Sequence, residues 1–491
     1  MYSHVPSTKF KRAIRWLPAT LVALGLAACG GGAAPSVPLS KASPARVSVG
    51  TITGFGSVHV NGVKFETTSA KVTVNGQAGT QGDLKVGEVV AVSGHHDDAT
   101  GQDVADTVEF RHNVQGPIST INTVTGTVVV LGQNVAVSAD TSYATGITPA
   151  SLAGLAVNDI VEVSGLPAAN GDLQATRIAK KAPGTAFEVT GVAASTNAAA
   201  KTLKLNALTV DFSAATLSNF ATTGPKDGDR VEAMGLSLGS AGELKATHLE
   251  LLTADESAQA NEEGEIEGLV TRFASATDFD ISGHPVTTTA STTFEGGVIA
   301  DLALNVRLEV EGTFTAAGVL SASKVRIHPQ SASATRLLGP VTLVDATAGT
   351  VTLLGITVTV SDMTHFEDDG SQGISTFNLT NVHTGDWLNV RGGETPAGSN
   401  KLLATRVERV EPQTSMRLTG TVKTAMMPNF TILSLNVGTT PTTVFDDGSN
   451  APVTADAFFL NLVGQTVALS GTWDGTTFVA QHATFGQGLD D

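Results

Sequence analysis

The sequence predicts an all-β protein built from six tandem small β-barrel repeats, each of about 70–80 residues with at most one short helix. Three observations carry the prediction. Glycine, threonine, valine and alanine dominate while only 15% of residues are charged, which favours short strands and turns over long helices. A phrase of alternating apolar residues ending in glycine recurs six times. Within each copy the apolar period is two, as half-buried strands require.

The phrase reads Val89-Val90-Ala91-Val92-Ser93-Gly94 in the first copy and Ile160-Val161-Glu162-Val163-Ser164-Gly165 in the second. It returns ending on Gly235, Gly312, Gly392 and Gly471, at spacings of 71, 70, 77, 80 and 79 residues. A second strand follows shortly, as in Ala175-Thr176-Arg177, Ala246-Thr247-His248, Ala322-Ser323-Lys324 and Ala404-Thr405-Arg406. Each copy opens on a strand glycine: Gly50, Gly116, Gly191, Gly268, Gly339 or Gly420.

After that glycine comes a hairpin. In the first copy Val58 and Val60 share a face, Asn61-Gly62 suits a type I′ turn, and Val63 and Phe65 resume the buried side. The second copy suggests a turn at Gly132-Gln133 and the fifth a turn at Leu354-Gly355. Between hairpin and glycine phrase, a stretch such as Pro149–Leu155 can form one short helix. Four or five short strands left open would expose their edges, so each unit closes best as an OB-like or SH3-like barrel. So small a barrel buries little surface alone. Neighbours are therefore expected to pack through the short joins Lys180–Thr185 and His328–Thr335, with the acidic join Thr253–Glu265 as the flexible point. The repeats are placed at residues 48–112, 113–182, 186–253, 262–329, 335–412 and 415–486.

Ahead of them stand a leader, residues 1–28, and a tether, residues 29–47 rich in Gly, Ala, Ser and Pro. Lys9, Lys11, Arg12 and Arg15 form a basic region, followed by an apolar stretch from Trp16 to Ala28 that is too short to span a bilayer. It closes on Leu26-Ala27-Ala28-Cys29-Gly30, which resembles the lipobox of bacterial lipoproteins. The resemblance implies cleavage before Cys29, lipidation of its thiol, and a membrane as partner through that lipid. Gly30, where inner-membrane retention would call for Asp, points to the outer membrane. Cys29 is the only cysteine, so no intramolecular disulfide can form. Loss of the four basic leader residues takes the net charge from −17 to −21, which speaks against nucleic acid as a partner.

The repeat pattern resembles a bacterial lipoprotein family known as domain of unknown function 5666. The matching positions are Gly50 to Ser57, the Val-x-Val-Ser-Gly phrases and the Ala-Thr-Arg strands, over residues from about 48 to 486. The resemblance implies the tandem layout and brings no activity or cofactor with it.

Several clusters invite a chemical reading, and each has a plainer one beside it. Gly235-Leu236-Ser237-Leu238-Gly239 matches a serine-hydrolase elbow but lies between strands instead of leading into a helix. His95-His96-Asp97-Asp98 holds ligand-type residues that alternate along a strand end, so they read as a polar loop. Asp368-Asp369 and Asp446-Asp447 each precede Gly-Ser at matching places and are weak calcium candidates, although the calcium-loop spacing is absent and a capped turn uses the same letters. Asp278 and Asp280 could pair as glycosidase carboxylates but read as an outer strand face. Trp387 and Trp473 read as packing residues. The expected role is a non-enzymatic envelope scaffold without cofactor or catalytic residue. An envelope polymer or protein is the alternative kind of partner, bound through the barrel faces.

Overall fold

A computed structural model describes residues 45–123, 125–138, 140–252, 259–328, 335–374, 376–395, 399–448 and 451–486. They form six closed five-stranded barrels. The second unit shows the plan: first strand Val114–Asn122, second Thr127–Val130, third Gln133–Ala136 resuming after a break as Ser142–Tyr143, fourth Ile160–Pro167 and fifth Leu173–Lys180. The first strand pairs antiparallel with the second and the second with the third. Both halves of the third strand run parallel to the fifth, and the fifth, fourth and first close the ring antiparallel. The parallel third–fifth pair makes the ring OB-like and not an all-antiparallel SH3-like one. The third unit, Phe187–Leu251, repeats this order.

Alternation decides which residues fill each ring. Val114, Ile118, Val128, Val130, Val135, Val161, Val163 and Ile178 are all buried in the second unit. The sixth adds a cluster in which Phe445 and Phe458 lie 4.9 Å apart and Phe458 and Phe485 lie 4.6 Å apart. The stretch Pro149–Leu155 supplies only a 3-10 turn, Leu152–Gly154. Equivalent turns occupy the first, fourth and fifth units, and Ala455–Phe459 of the sixth is the one α-helix among the described residues. Asn61-Gly62 makes the expected turn with both residues at positive φ, as does Leu354-Gly355. The second unit turns one residue earlier than expected, at Leu131-Gly132, because Gln133 already pairs with Val130 in the third strand.

The two recurring glycines have steric causes. The glycine ending each phrase sits where the fourth strand slips register against the fifth. A Cβ at Gly94 would stand 2.0 Å from the Val104 carbonyl oxygen, and one at Gly392 would stand 2.1 Å from that of Leu403. The opening glycine leaves room for the hairpin turn folded over it. A Cβ at Gly116 would come within 2.4 Å of the Leu131 side chain.

The units do not form a loose string. First strands of the second and third units pair antiparallel with Val114 opposite Val189, each two residues before its opening glycine. The fifth and sixth units pair in the same register, Leu337 opposite Leu418. The first unit skips its neighbours and pairs with the fourth, in parallel, from Arg46 opposite Glu263 to Val49 opposite Ile266. The chain thus reads as one three-unit arrangement laid down twice. This corrects one expectation and extends the neighbour packing that the second and third units show. Glu263 and Glu265, expected in a flexible join, lie in the strand Glu263–Ser275 and are paired on both sides. Sheet contacts also reach past the nearest unit in sequence. Residues 253–258 of that join and 329–334 of the join before the fifth unit lie outside the described residues.

Candidate functional site

The polar residues that matter most stand where the first, second, fourth and fifth units meet. They begin as a local device. Where the third strand breaks, a buried threonine donates its hydroxyl to a carbonyl of the fifth strand. Thr141 bonds Ala175, Thr364 bonds Ala404 and Thr443 bonds Ala480, at 2.8, 2.8 and 2.7 Å. This latch holds the second half of the third strand flat against the fifth, and it aligns the next residues outward, beside the basic residue two positions after the alanine.

In the second and fifth units those outward faces meet each other. Arg406 donates to the Thr141 carbonyl at 3.1 Å and to Glu367 at 2.5 Å, and Thr405 donates to Asp140 at 2.5 Å. Ser142 donates to Glu367 at 3.1 Å, and Arg177 stands 3.6 Å from the same carboxylate. Arg177 also donates to the Val86 carbonyl of the first unit at 3.0 Å. On the other side, Glu267 of the fourth unit accepts from the Thr51 amide at 2.8 Å and from Arg307 at 2.8 Å.

Burial shapes the electrostatics. Desolvation opposes ionisation of Glu267, yet the Arg307 guanidinium holds its carboxyl down to about 2. Desolvation and the Arg307 charge together push the His328 and His365 imidazoles down to about 4, so both are neutral near pH 7. At the seam of the second and third units His112 has the opposite fate. Burial works against its cation, but Glu162 at 3.3 Å and Glu188 at 2.8 Å raise it to about 9. Contacts that cross between units, such as Glu267 with the Thr51 amide and His112 with Glu188, would leave a buried charge poorly partnered if broken, so they fix how the units sit.

The candidates read from sequence fall elsewhere or into structural duty. Cys29 lies outside the described residues. Asp368 accepts two bonds from Arg409, one at 2.9 Å, and further bonds from the Gly370 and Ile374 amides. Asp369 faces away from it: desolvation and the neighbouring Glu408 carboxyl push its pKa up. Asp446 accepts from His482 at 2.5 Å, from Thr484 and from the Gly448 amide, while Asp447 accepts from the Ala451 amide. Asp278 and Asp280 clamp one guanidinium, that of Arg272, at 2.6 and 2.7 Å. His95 and His96 pair separately with Asp106 and Asp103. Among the described residues no three such ligands converge as a metal site. Ser237 is exposed on the strand Arg230–Leu238, with no helix following. Trp473 packs against the Gly355 turn, and so ties the sixth unit to the fifth.

Sequence reasoning listed the Ala-Thr-Arg strands but missed what their arginines do. A signal was present: the position reads Arg only in the second and fifth units, and His248, Lys324 or His482 in three others. Glu267 and Arg307 gave none, because they pair across two strands of the fourth unit and the Thr51 amide that completes the contact comes from the first unit, far away in the chain.

Two clefts open between units. One of about 380 Å³ between the second and third is lined by Asn158, Asp159, Lys180, Lys181, Phe187 and Leu236. One of about 150 Å³ is lined by Ser151, Arg336, Asn389, Glu408 and Arg417, from the second, fifth and sixth units. No helix among the described residues is long and apolar enough to cross a membrane.

The family described as domain of unknown function (DUF5666) matches residues 48–109, 115–179, 267–326, 339–408 and 419–483. The third barrel falls outside those matches although its strand order is the same. Among solved structures, the Drosophila chain titled Unr CSD456 aligns at 12% identity over 43% of this chain and 98% of its own, with a TM-score of 0.14, too low to carry an argument. No curated protein matches the chain.

Proposed function

The chain belongs to the DUF5666 family, and from that premise we propose that it is a lipid-anchored, non-enzymatic scaffold of the bacterial outer membrane. The observation that carries the reading is the buried ionic centre joining four of the six barrels. Charged groups that could have been offered to a substrate are turned inward and hold the units to one another. Barrels locked to one another in this way suit a spacer or platform on a tether. Lipid on Cys29 supplies the attachment, and the periplasmic or outer side of the membrane fits equally well. Replacing Cys29 with Ser should abolish palmitate labelling and release the protein from the membrane fraction; a labelled C29S chain sinks the anchor. Single alanine replacements of exposed polar residues should leave the cellular role intact. Loss of that role from one such change in a folded chain argues against a scaffold.

A second reading, binding of an envelope polysaccharide, is favoured by the cleft between the second and third units, which sets Asn158, Asp159, Lys180 and Lys181 beside Phe187 and whose volume suits a short stretch of polymer. Enrichment of one glycan on an array, lost on changing Lys181 and Phe187, would support it. No enrichment of any polymer sinks it.

A further inference from the structure

The contact between the second and fifth units is a face-to-face meeting of the same surface, the outside of the broken third strand and the fifth strand. Its register can be carried to the other units through the latch threonine. The residue after the latch is Ser142 in the second unit, His365 in the fifth and Val444 in the sixth, each opposite the basic residue of the fifth strand: Arg177, Arg406 and His482. Two residues further on stand Glu367 in the fifth unit and Asp446 in the sixth. The ion pair Glu367–Arg406 therefore has a hydrogen-bonded counterpart, Asp446–His482, at equivalent places.

The two copies differ in what covers them. Ser142 and His365 are 1% and 8% exposed, buried where the first, second, fourth and fifth units meet. Val444 is 55% exposed, and His482 beside it is one-third exposed. The sixth unit thus keeps a carboxylate–imidazole contact at the place of the docked units' ion pair, and it carries an apolar residue outward at the position where those units are dry. The matching positions of the third and fourth units, Thr216 and Thr293, are polar.

We propose that this face of the sixth unit pairs with the same face of a second copy of the chain, giving a twofold dimer. The occupant follows from the intramolecular example, in which this surface takes its own counterpart as partner. A twofold axis puts Val444 against Val444 and sets Asp446 of one copy near His482 of the other, as Glu367 meets Arg177 across the second and fifth units.

Light scattering on the full chain in detergent tests this. The expected result is a dimer whose Kd rises about a hundredfold in Val444→Glu, since the change enters the interface twice, with the thermal melting curve unmoved. Leu343→Glu, equally exposed on the fifth unit, should leave the dimer intact. Should Val444→Glu fold poorly, Val444→Cys gives a second readout: mild oxidation should link two copies, whereas Leu343→Cys should not. A monomer at every concentration, a dimer indifferent to Val444→Glu, or no cross-link through Val444→Cys overturns the proposal.

Discussion

Alanine at Gly94 tests the cause assigned to the repeated glycine phrase. Its Cβ would stand 2.0 Å from the Val104 carbonyl oxygen, 3.0 Å from the carbonyl carbon and 3.1 Å from the Ala105 Cα. All three are backbone atoms of the neighbouring strand, which is fixed by pairing from Val90–Phe110 to Asp97–Gln102. No rotamer change relieves the clash, so the ladder must spread at its bulge. Overpacking of this kind costs about 1–3 kcal/mol, and the rigid neighbour places Gly94→Ala at the upper end, about 3 kcal/mol. For a cooperative unit of about 150–250 residues, each kcal/mol lowers Tm by roughly 2–4 °C, so a fall of about 6–12 °C is expected. Gly54→Ala is the matched control. It lies in the first strand of the same unit with nothing within 4 Å of a Cβ, and should change stability by less than about 1 kcal/mol. Calorimetry or circular dichroism reads both. Equal shifts in the two variants would refute the steric account and leave the recurring glycine without a structural cause.

Arg406→Met takes the donor from the Thr141 carbonyl and one of the cationic partners from Glu367, which keeps Ser142 and Arg177, and should cost about 3 kcal/mol, with amide exchange rising at Asp140–Tyr143 in the second unit as well as in the fifth; exchange confined to the fifth unit contradicts the lock. Desolvation raises buried Glu88 and Glu265 to about 7, so their stabilising contribution is full below the unfolded value of 4.5 and is lost as pH climbs towards 7. The raised His112 acts in the same direction, its contribution being lost between 6.5 and about 9. His328 and His365, lowered to about 4, gain stability as pH rises through about 4–6.5 and offset the glutamates there, so the urea midpoint should fall chiefly between pH 6.5 and pH 9, less steeply in Glu265→Gln, and a midpoint rising over that range contradicts the assignment. Calcium should leave Tm unchanged, because Arg409 holds Asp368 while His482 and Thr484 hold Asp446; a saturable upward shift would restore those turns as ligand sites.

The local layers of this protein are legible in its residues. Period-two alternation fixes which side chains enter each barrel, Asn61-Gly62 and Leu354-Gly355 set their turns, and the six glycines mark a bulge that Cβ atoms cannot occupy. Those signals are local because their causes lie within a few residues or across one ladder. The placing of one barrel on another was not legible. Arg46 meets Glu263 and Arg177 meets Glu367, pairs separated by two or more whole repeats. Each half of such a pair reads alone as an ordinary surface charge. Only the closed tertiary arrangement brings such halves together and, for Arg177 and Glu367, removes most of the water, turning a solvated face into the lock that holds the units together.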